Sequence, residues 1–96
     1  MDTPRTELID QISRDLNLDP GTLIGQAVRA FLKDRKKAVL LERLEFLSRS
    51  KVTSQEELQQ KIEAGEIEEH PAWEDLIVVE NLDAELKKID EYLANL

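Results

Sequence analysis

The chain contains no cysteine, and this absence removes several kinds of functional site. Without thiols there is no disulfide, no cysteine-ligated zinc or iron–sulfur site and no thiol nucleophile. The single histidine, His70, supplies fewer nitrogen ligands than a zinc site ordinarily needs. The sequence also lacks a nucleophile elbow, a P-loop, and HExxH and GxGxxG motifs. We therefore expect a protein that is not an enzyme and that holds no cofactor or metal ion.

Aromatic residues and long apolar segments are also scarce. Phe, Trp and Tyr make up 4% of the 96 residues, so the core must consist mainly of leucine, isoleucine, valine and alanine. No apolar run approaches the ~18–20 residues that cross a bilayer. The N-terminus shows no signal-peptide pattern. These features predict a small cytoplasmic protein that has no membrane partner.

Charge is distributed unevenly between the two halves of the chain. Residues 1–50 hold 9 Lys/Arg and 8 Asp/Glu, whereas residues 51–96 hold 4 Lys/Arg and 13 Asp/Glu. Such asymmetry indicates that the halves have different partners. We predict a helical dimerisation region over 1–50 and an acidic helical partner-binding region over 51–96. The overall charge of −8 opposes nonspecific binding of nucleic acid by the whole chain.

Helix-start and helix-stop signals predict an all-α fold of four helices. Thr3 and Pro4 begin the first helix, which ends near residue 17. Asp19 caps the second helix, and Pro20 occupies its first position. The second helix runs to about residue 48, unless it breaks at the basic segment near residues 33–37.

The length of the second helix predicts a dimer. Unbroken, this helix would be roughly 45 Å long at 1.5 Å per residue. A compact domain of this size has a radius of gyration of only ~12–13 Å. The helix would therefore protrude unless a second chain packed along it. We expect a helical homodimer.

The acidic half carries two further helices. Either Thr53 or Ser54 caps the third helix as part of a capping box, and Gly65 ends that helix. Pro71 begins the last helix. Spacings of three and four residues give this helix a heptad-like apolar stripe, formed by Val79, Leu82, Leu86, Ile89, Leu93 and Leu96.

Three sets of residues are candidates for contact with other molecules. The apolar positions of the first two helices predict a dimer core of Leu8, Ile12, Leu16, Leu23, Ala27, Val28, Phe31 and Leu32. Apolar anchors within the acidic half predict a partner-binding site of Trp73, Leu76, Leu82 and Leu86. Trp73, the only tryptophan, fits an interface hot spot or the core of this chain equally well. A basic cluster gives a candidate DNA-binding site of Arg29, Lys33, Arg35, Lys36 and Lys37.

The stretch from Leu8 to Leu32 resembles the helix pair of ribbon-helix-helix proteins. In that family the second helix carries the apolar positions of an intertwined dimer. Many members are antitoxins of prokaryotic type II toxin–antitoxin systems, which bind operator DNA with the N-terminal half and neutralise a toxin with the C-terminal half. The later segment is similar to small bacterial and archaeal antitoxins over Ser54–Leu58, Gly65–Ile67 and His70–Leu86.

The resemblance implies an antitoxin-like function in which the acidic half neutralises a basic toxin. It also implies a DNA-reading β-strand ahead of the first helix. Only residues 1–7 are available here for that strand, and Pro4 cannot donate a ladder hydrogen bond. Two alternatives stay open: a DNA-binding transcriptional regulator that uses the basic cluster, and a helical scaffold that self-associates through the stripe over residues 79–96.

Overall fold

The computed structural model describes residues 3–96, with side chains from residue 5 onward, and within them the chain forms four α-helices and no strand. The helices are α1 (Thr3–Asp15), α2 (Pro20–Ser48), α3 (Gln55–Glu63) and α4 (Glu69–Ala94). This confirms the predicted all-α class and the unbroken second helix. Residues 3–7 lie in α1, so none of these residues forms the β-strand that the resemblance implies. The side chains of the proposed Thr3–Pro4 helix start lie outside the described part.

Local capping explains where the later helices begin. The Asp19 carboxylate accepts from the N–H of Gly21 at 2.9 Å, and Ser54 Oγ accepts from the N–H of Glu57 at 3.1 Å. Ser54 is therefore the cap of α3. The Glu57 carboxylate reaches back to the N–H of Thr53 at 3.1 Å. His70 has non-helical backbone angles (φ −108°, ψ 128°), so the regular part of α4 begins just after it, at the predicted proline.

The three connections between helices share one geometry. Each contains a residue in the left-handed region: Asn17 (φ 58°), Lys51 (φ 55°) and Gly65 (φ 71°). In each case the next N–H donates to the carbonyl five residues earlier, which closes the helix end as a Schellman motif. These bonds are Leu18 to Ser13 at 2.8 Å, Val52 to Leu47 at 3.2 Å, and Glu66 to Lys61 at 3.0 Å.

The apolar core lies in the C-terminal two thirds of the chain. One buried cluster joins the end of α2 to α3 and α4, and consists of Leu47, Val52, Leu58, Ile62, Ala72, Leu76 and Val79. A second joins the middle of α2 to α4, and consists of Val39, Leu82 and Ile89. Residues predicted to belong to separate regions, 1–50 and 51–96, thus share one core. Between residues 5 and 38 the only buried residue is Ser13.

The molecule is elongated. Its radius of gyration is 19.8 Å and its principal extents are 61 × 24 × 19 Å, whereas a compact chain of this length has a radius of gyration of ~12–13 Å. α1 and the start of α2 extend beyond the core, whereas Arg29 and Leu32 of α2 already contact the C-terminal part of the chain. The predicted protrusion is confirmed, and the homodimer stays a prediction. None of the helices within the described residues has both the length and the apolarity needed to cross a membrane.

Candidate protein-binding surface

An exposed apolar pair lies on α4, on the side away from the core. Trp73 is 38% exposed and Ile77 is 55% exposed. Residues four apart lie on the same helix face, so the two side chains are neighbours there. The structure thus places the only tryptophan at the surface. Ile77 was absent from the predicted partner-binding residues, although its spacing from Trp73 was a usable signal.

Exposed glutamates lie close to this pair in the chain. The α3–α4 link and the first three turns of α4 carry five exposed glutamates, which we call the acidic surface. They are Glu66, Glu68, Glu69, Glu74 and Glu80. Glu80 lies two turns beyond Trp73 and so on the same side of α4. Among the described residues, none of the five forms an ion pair with a lysine or arginine. Their negative charge is therefore available to a partner.

Glu74 is held in its ionised form. Its own backbone N–H, followed by the His70 ring, lowers the pKa of the Glu74 carboxyl below its ordinary value. The distance between His70 Nδ1 and Glu74 Oε1 is 2.7 Å. No group of three or more His, Asp or Glu residues in the described part of the chain is placed to hold a metal ion. The surface can offer a partner negative charge and apolar contact.

Three of the four predicted partner-binding residues belong to the core instead. Leu76 is 1% exposed and Leu82 is 7% exposed, and Leu86 is half-buried against the second cluster. Because the apolar stripe of α4 packs against α2 and α3, Trp73 is the one member of the predicted set that keeps the exposure a partner-binding anchor needs. For the same reason, the stripe over 79–96 is not free to associate with another copy in this fold.

The predicted DNA-binding cluster is largely engaged with α4. Arg35 and Lys36 contact carboxylates of α4 and Arg29 contacts the Leu96 carbonyl just beyond that helix, whereas Lys33 and Lys37 are exposed. DNA phosphates would have to displace the existing acceptors. These contacts are Arg29 to the Leu96 carbonyl at 2.6 Å, Arg35 to Glu85 at 2.9 Å, and Lys36 to Asp90 at 2.7 Å.

Two further arginines form ion pairs with α4, one from within α2 and one from its C-terminal cap. Arg43 lies 2.5 Å from Asp83, and Arg49 lies 3.2 Å from Asp75. Four carboxylates of the acidic half are thus neutralised inside the chain by α2 and its C-terminal cap. This internal pairing was missed by the sequence analysis, which assigned the whole acidic half to a partner.

The predicted dimer-core residues are not buried within one chain. Phe31 is 67% exposed and Leu16 is 63% exposed. Leu23 and Leu32 are half-buried, and Leu32 packs beside Val39. The remaining members of the set are exposed, namely Leu8, Ile12, Ala27 and Val28. Burial of this set in a dimer stays a prediction.

The sequence model of a family described as "Uncharacterized protein MJ0235 family" matches residues 1–96. No curated protein and no solved structure matches the chain.

Proposed function

The chain belongs to the Uncharacterized protein MJ0235 family, and we propose that it is an antitoxin-like module that holds a basic partner protein. One observation carries the proposal: Trp73 and Ile77 are exposed on α4 beside the five glutamates of the acidic surface. The resemblance to antitoxins supports the same assignment. A cytoplasmic location belongs to this proposal.

The two components of the surface have different roles in binding. The glutamates, none of which is paired with a lysine or arginine, attract a basic partner over a distance, which mainly raises the association rate and favours partners of the right charge. Trp73 and Ile77 provide apolar contact area at close range, which mainly slows dissociation. Leu76 and Leu82 act indirectly, because their burial fixes the helix that presents Trp73.

Affinity capture from the native cell extract tests the proposal. The tagged full chain is used as bait, and the recovered complex is analysed by size-exclusion chromatography with light scattering. We expect one small basic protein at a fixed ratio. That protein, expressed alone, should stop growth, and co-expression of this chain should restore it. Recovery of no basic protein, or of one whose expression leaves growth unchanged, contradicts the antitoxin-like function.

The first alternative is a self-associating helical scaffold. The exposed apolar residues of α1 and of the first half of α2 favour it. A scaffold would form oligomers and would recover no foreign protein in the capture experiment. The second alternative, a DNA-binding regulator, has less support, because Arg35 and Lys36 already contact carboxylates of α4 and Arg29 already contacts the Leu96 carbonyl. It predicts DNA binding that weakens steeply as salt increases.

A further inference from the structure

The N-terminal third of the chain exposes a set of apolar side chains that we call the apolar face. On α1 and directly after it these are Leu8, Ile12 and Leu16, which are 56%, 36% and 63% exposed. On α2 they are Ile24, Val28 and Phe31, which are 49%, 42% and 67% exposed. No apolar side chain between residues 5 and 38 is buried, although Leu32 is half-buried against the second core cluster. This part of the molecule therefore has no core of its own.

The spacing of these residues gives each helix one apolar stripe. The α1 residues are four apart, and those of α2 are separated by four and then three, as in a coiled-coil seam. A helix of 13 residues such as α1 is marginal in water without tertiary packing. Among the α1 side chains from residue 5 onward, only Ser13 is buried, and its hydroxyl donates to the Ile9 carbonyl at 2.7 Å. Both stripes therefore need an apolar cover.

We propose that a second copy of this chain covers the apolar face, so that the protein is a two-fold symmetric dimer built on α1 and the first half of α2. Each copy then supplies the apolar surface that the other lacks, as an isologous interface requires. Interfaces of standard size take about 20–30 residues from each partner. The segment from residue 5 to residue 38 is long enough to supply them.

The charges favour a second copy at this face over a basic partner. Arg35 and Lys36 are paired with Glu85 and Asp90 of α4. The other charged residues between 5 and 38 are five basic and five acidic, so the segment is neutral. These ten charged residues are Arg5, Glu7, Asp10, Arg14, Asp15, Asp19, Arg29, Lys33, Asp34 and Lys37. Two copies do not repel one another there, and a neutral face has no electrostatic preference for a basic protein.

The acidic surfaces of two such copies stay apart. The acidic surface adjoins the end of α2 that carries Leu47, because Leu47 and Leu76 share the first core cluster. Phe31 and Leu47 are separated by about 24 Å along α2 at 1.5 Å per residue. Dimerisation at the apolar face therefore leaves each acidic surface open to its own partner. Dimerisation does not depend on which partner binds to the acidic surface.

The mass in solution tests the dimer. Light scattering on the purified full chain, across a series of concentrations, should give twice the chain mass of 11.0 kDa. Phe31→Glu should raise the dissociation constant of the dimer by about 100-fold or more, because it places a charge in the interface. Leu44→Glu is the matched control: Leu44 is 64% exposed on the same helix but outside the apolar face. It should change the dissociation constant by less than about threefold.

Cysteine cross-linking tests the location independently of stability. Since the chain has no cysteine of its own, Val28→Cys and Leu44→Cys each introduce one thiol. A short bis-maleimide should link Val28→Cys into a covalent dimer and leave Leu44→Cys monomeric. If the Phe31→Glu variant does not fold, cross-linking still tests where the two copies meet. A wild-type mass of 11.0 kDa at every concentration, or equal cross-linking at the two positions, overturns the proposal.

Discussion

Arg49 donates from Nη1 to Oδ1 of Asp75, 3.2 Å away, and so joins the end of α2 to the beginning of α4. Asp75 is 3% exposed, whereas about half of the Arg49 side chain is exposed. The Arg49 guanidinium also lies 4.2 Å from the centre of the Phe46 ring, a cation–π contact. The pair fixes α4 beside the core that supports Trp73.

Removal of Arg49 should destabilise the fold more than its exposure suggests. Arg49→Met leaves the Asp75 carboxylate buried without a cation, and we expect the free energy of unfolding to fall by about 2 kcal/mol, less than for a fully buried pair. Arg49→Met combined with Asp75→Asn should cost less than the sum of the two single changes, because no unpaired charge remains. Urea unfolding measures all three variants. Strict additivity would show that the two residues are not coupled.

The same substitution should have opposite effects at two glycines. Gly65 has φ +71°, where a side chain is strained, so Gly65→Ala should lower the free energy of unfolding by about 1 kcal/mol. Gly25 lies inside α2, and a Cβ added there would meet nothing within 4 Å. Gly25→Ala should raise the free energy of unfolding by about 0.5–1 kcal/mol. Thermal or urea unfolding measures both changes in the free energy of unfolding. A lower free energy of unfolding for both variants would contradict the placement of Gly25 inside a helix.

Loss of the α3 cap should be measurable by itself. Ser54 Oγ accepts from the N–H of Glu57 at the start of α3. Ser54→Ala leaves that N–H without its partner and should lower the free energy of unfolding by about 1 kcal/mol. Ser48→Ala is the control, because the exposed Ser48 hydroxyl only donates to the Glu45 carbonyl within a helix. The control should change the free energy of unfolding by less than about 0.5 kcal/mol, and equal losses would argue against the cap.

Stability should fall in acid. Hydrogen bonds from Thr22 lower the pKa of Asp19, the Thr53 N–H lowers the pKa of Glu57, and Arg35 lowers the pKa of Glu85. Because these pKa values are lower in the folded than in the unfolded chain, the stabilisation is complete above the ordinary values of 3.8 and 4.5. It is lost as the pH falls through the folded-state values.

Glu57→Gln isolates one of these contributions. The variant should be less stable than the wild type at neutral pH, and the difference should shrink as the pH falls below about 4.5, the ordinary pKa of glutamate. Urea unfolding at a series of pH values measures this difference. A gap between the two proteins that stays constant from neutral to acidic pH would show that the Glu57 carboxylate has no pH-linked role.

Local signals in the sequence were sufficient to predict that the chain forms four helices. Asp19, Ser54 and Gly65 mark helix ends through side-chain caps or backbone freedom that act within a few residues. Two other helix ends use Asn17 and Lys51 at positive φ. The lysine in particular carries no such signal, since side chains rarely adopt that conformation.

What covers each apolar stripe could not be predicted. Periodicity shows that one face of a helix is apolar, but it does not distinguish this chain's own helices from another molecule. The sequence therefore predicts Leu76 and Leu82 as partner-binding anchors, although both are buried in the clusters that α4 forms with α2 and α3. Similarly, charge counts did not show that Arg35 and Lys36 meet carboxylates of α4, since those pairs are about 50 residues apart in the chain.

The affinity of two matched variants for the captured partner shows whether Trp73 and its glutamates bind that protein. Trp73 and Tyr92 are both exposed aromatic residues of α4, at 38% and 58%, but Tyr92 lies outside the acidic surface. By titration calorimetry, Trp73→Ala should weaken binding by about 30-fold or more, and Tyr92→Ala should leave the affinity unchanged. Equal affinities for wild type and Trp73→Ala, with only a loss of stability, would contradict binding through Trp73 and identify Trp73 as a structural residue.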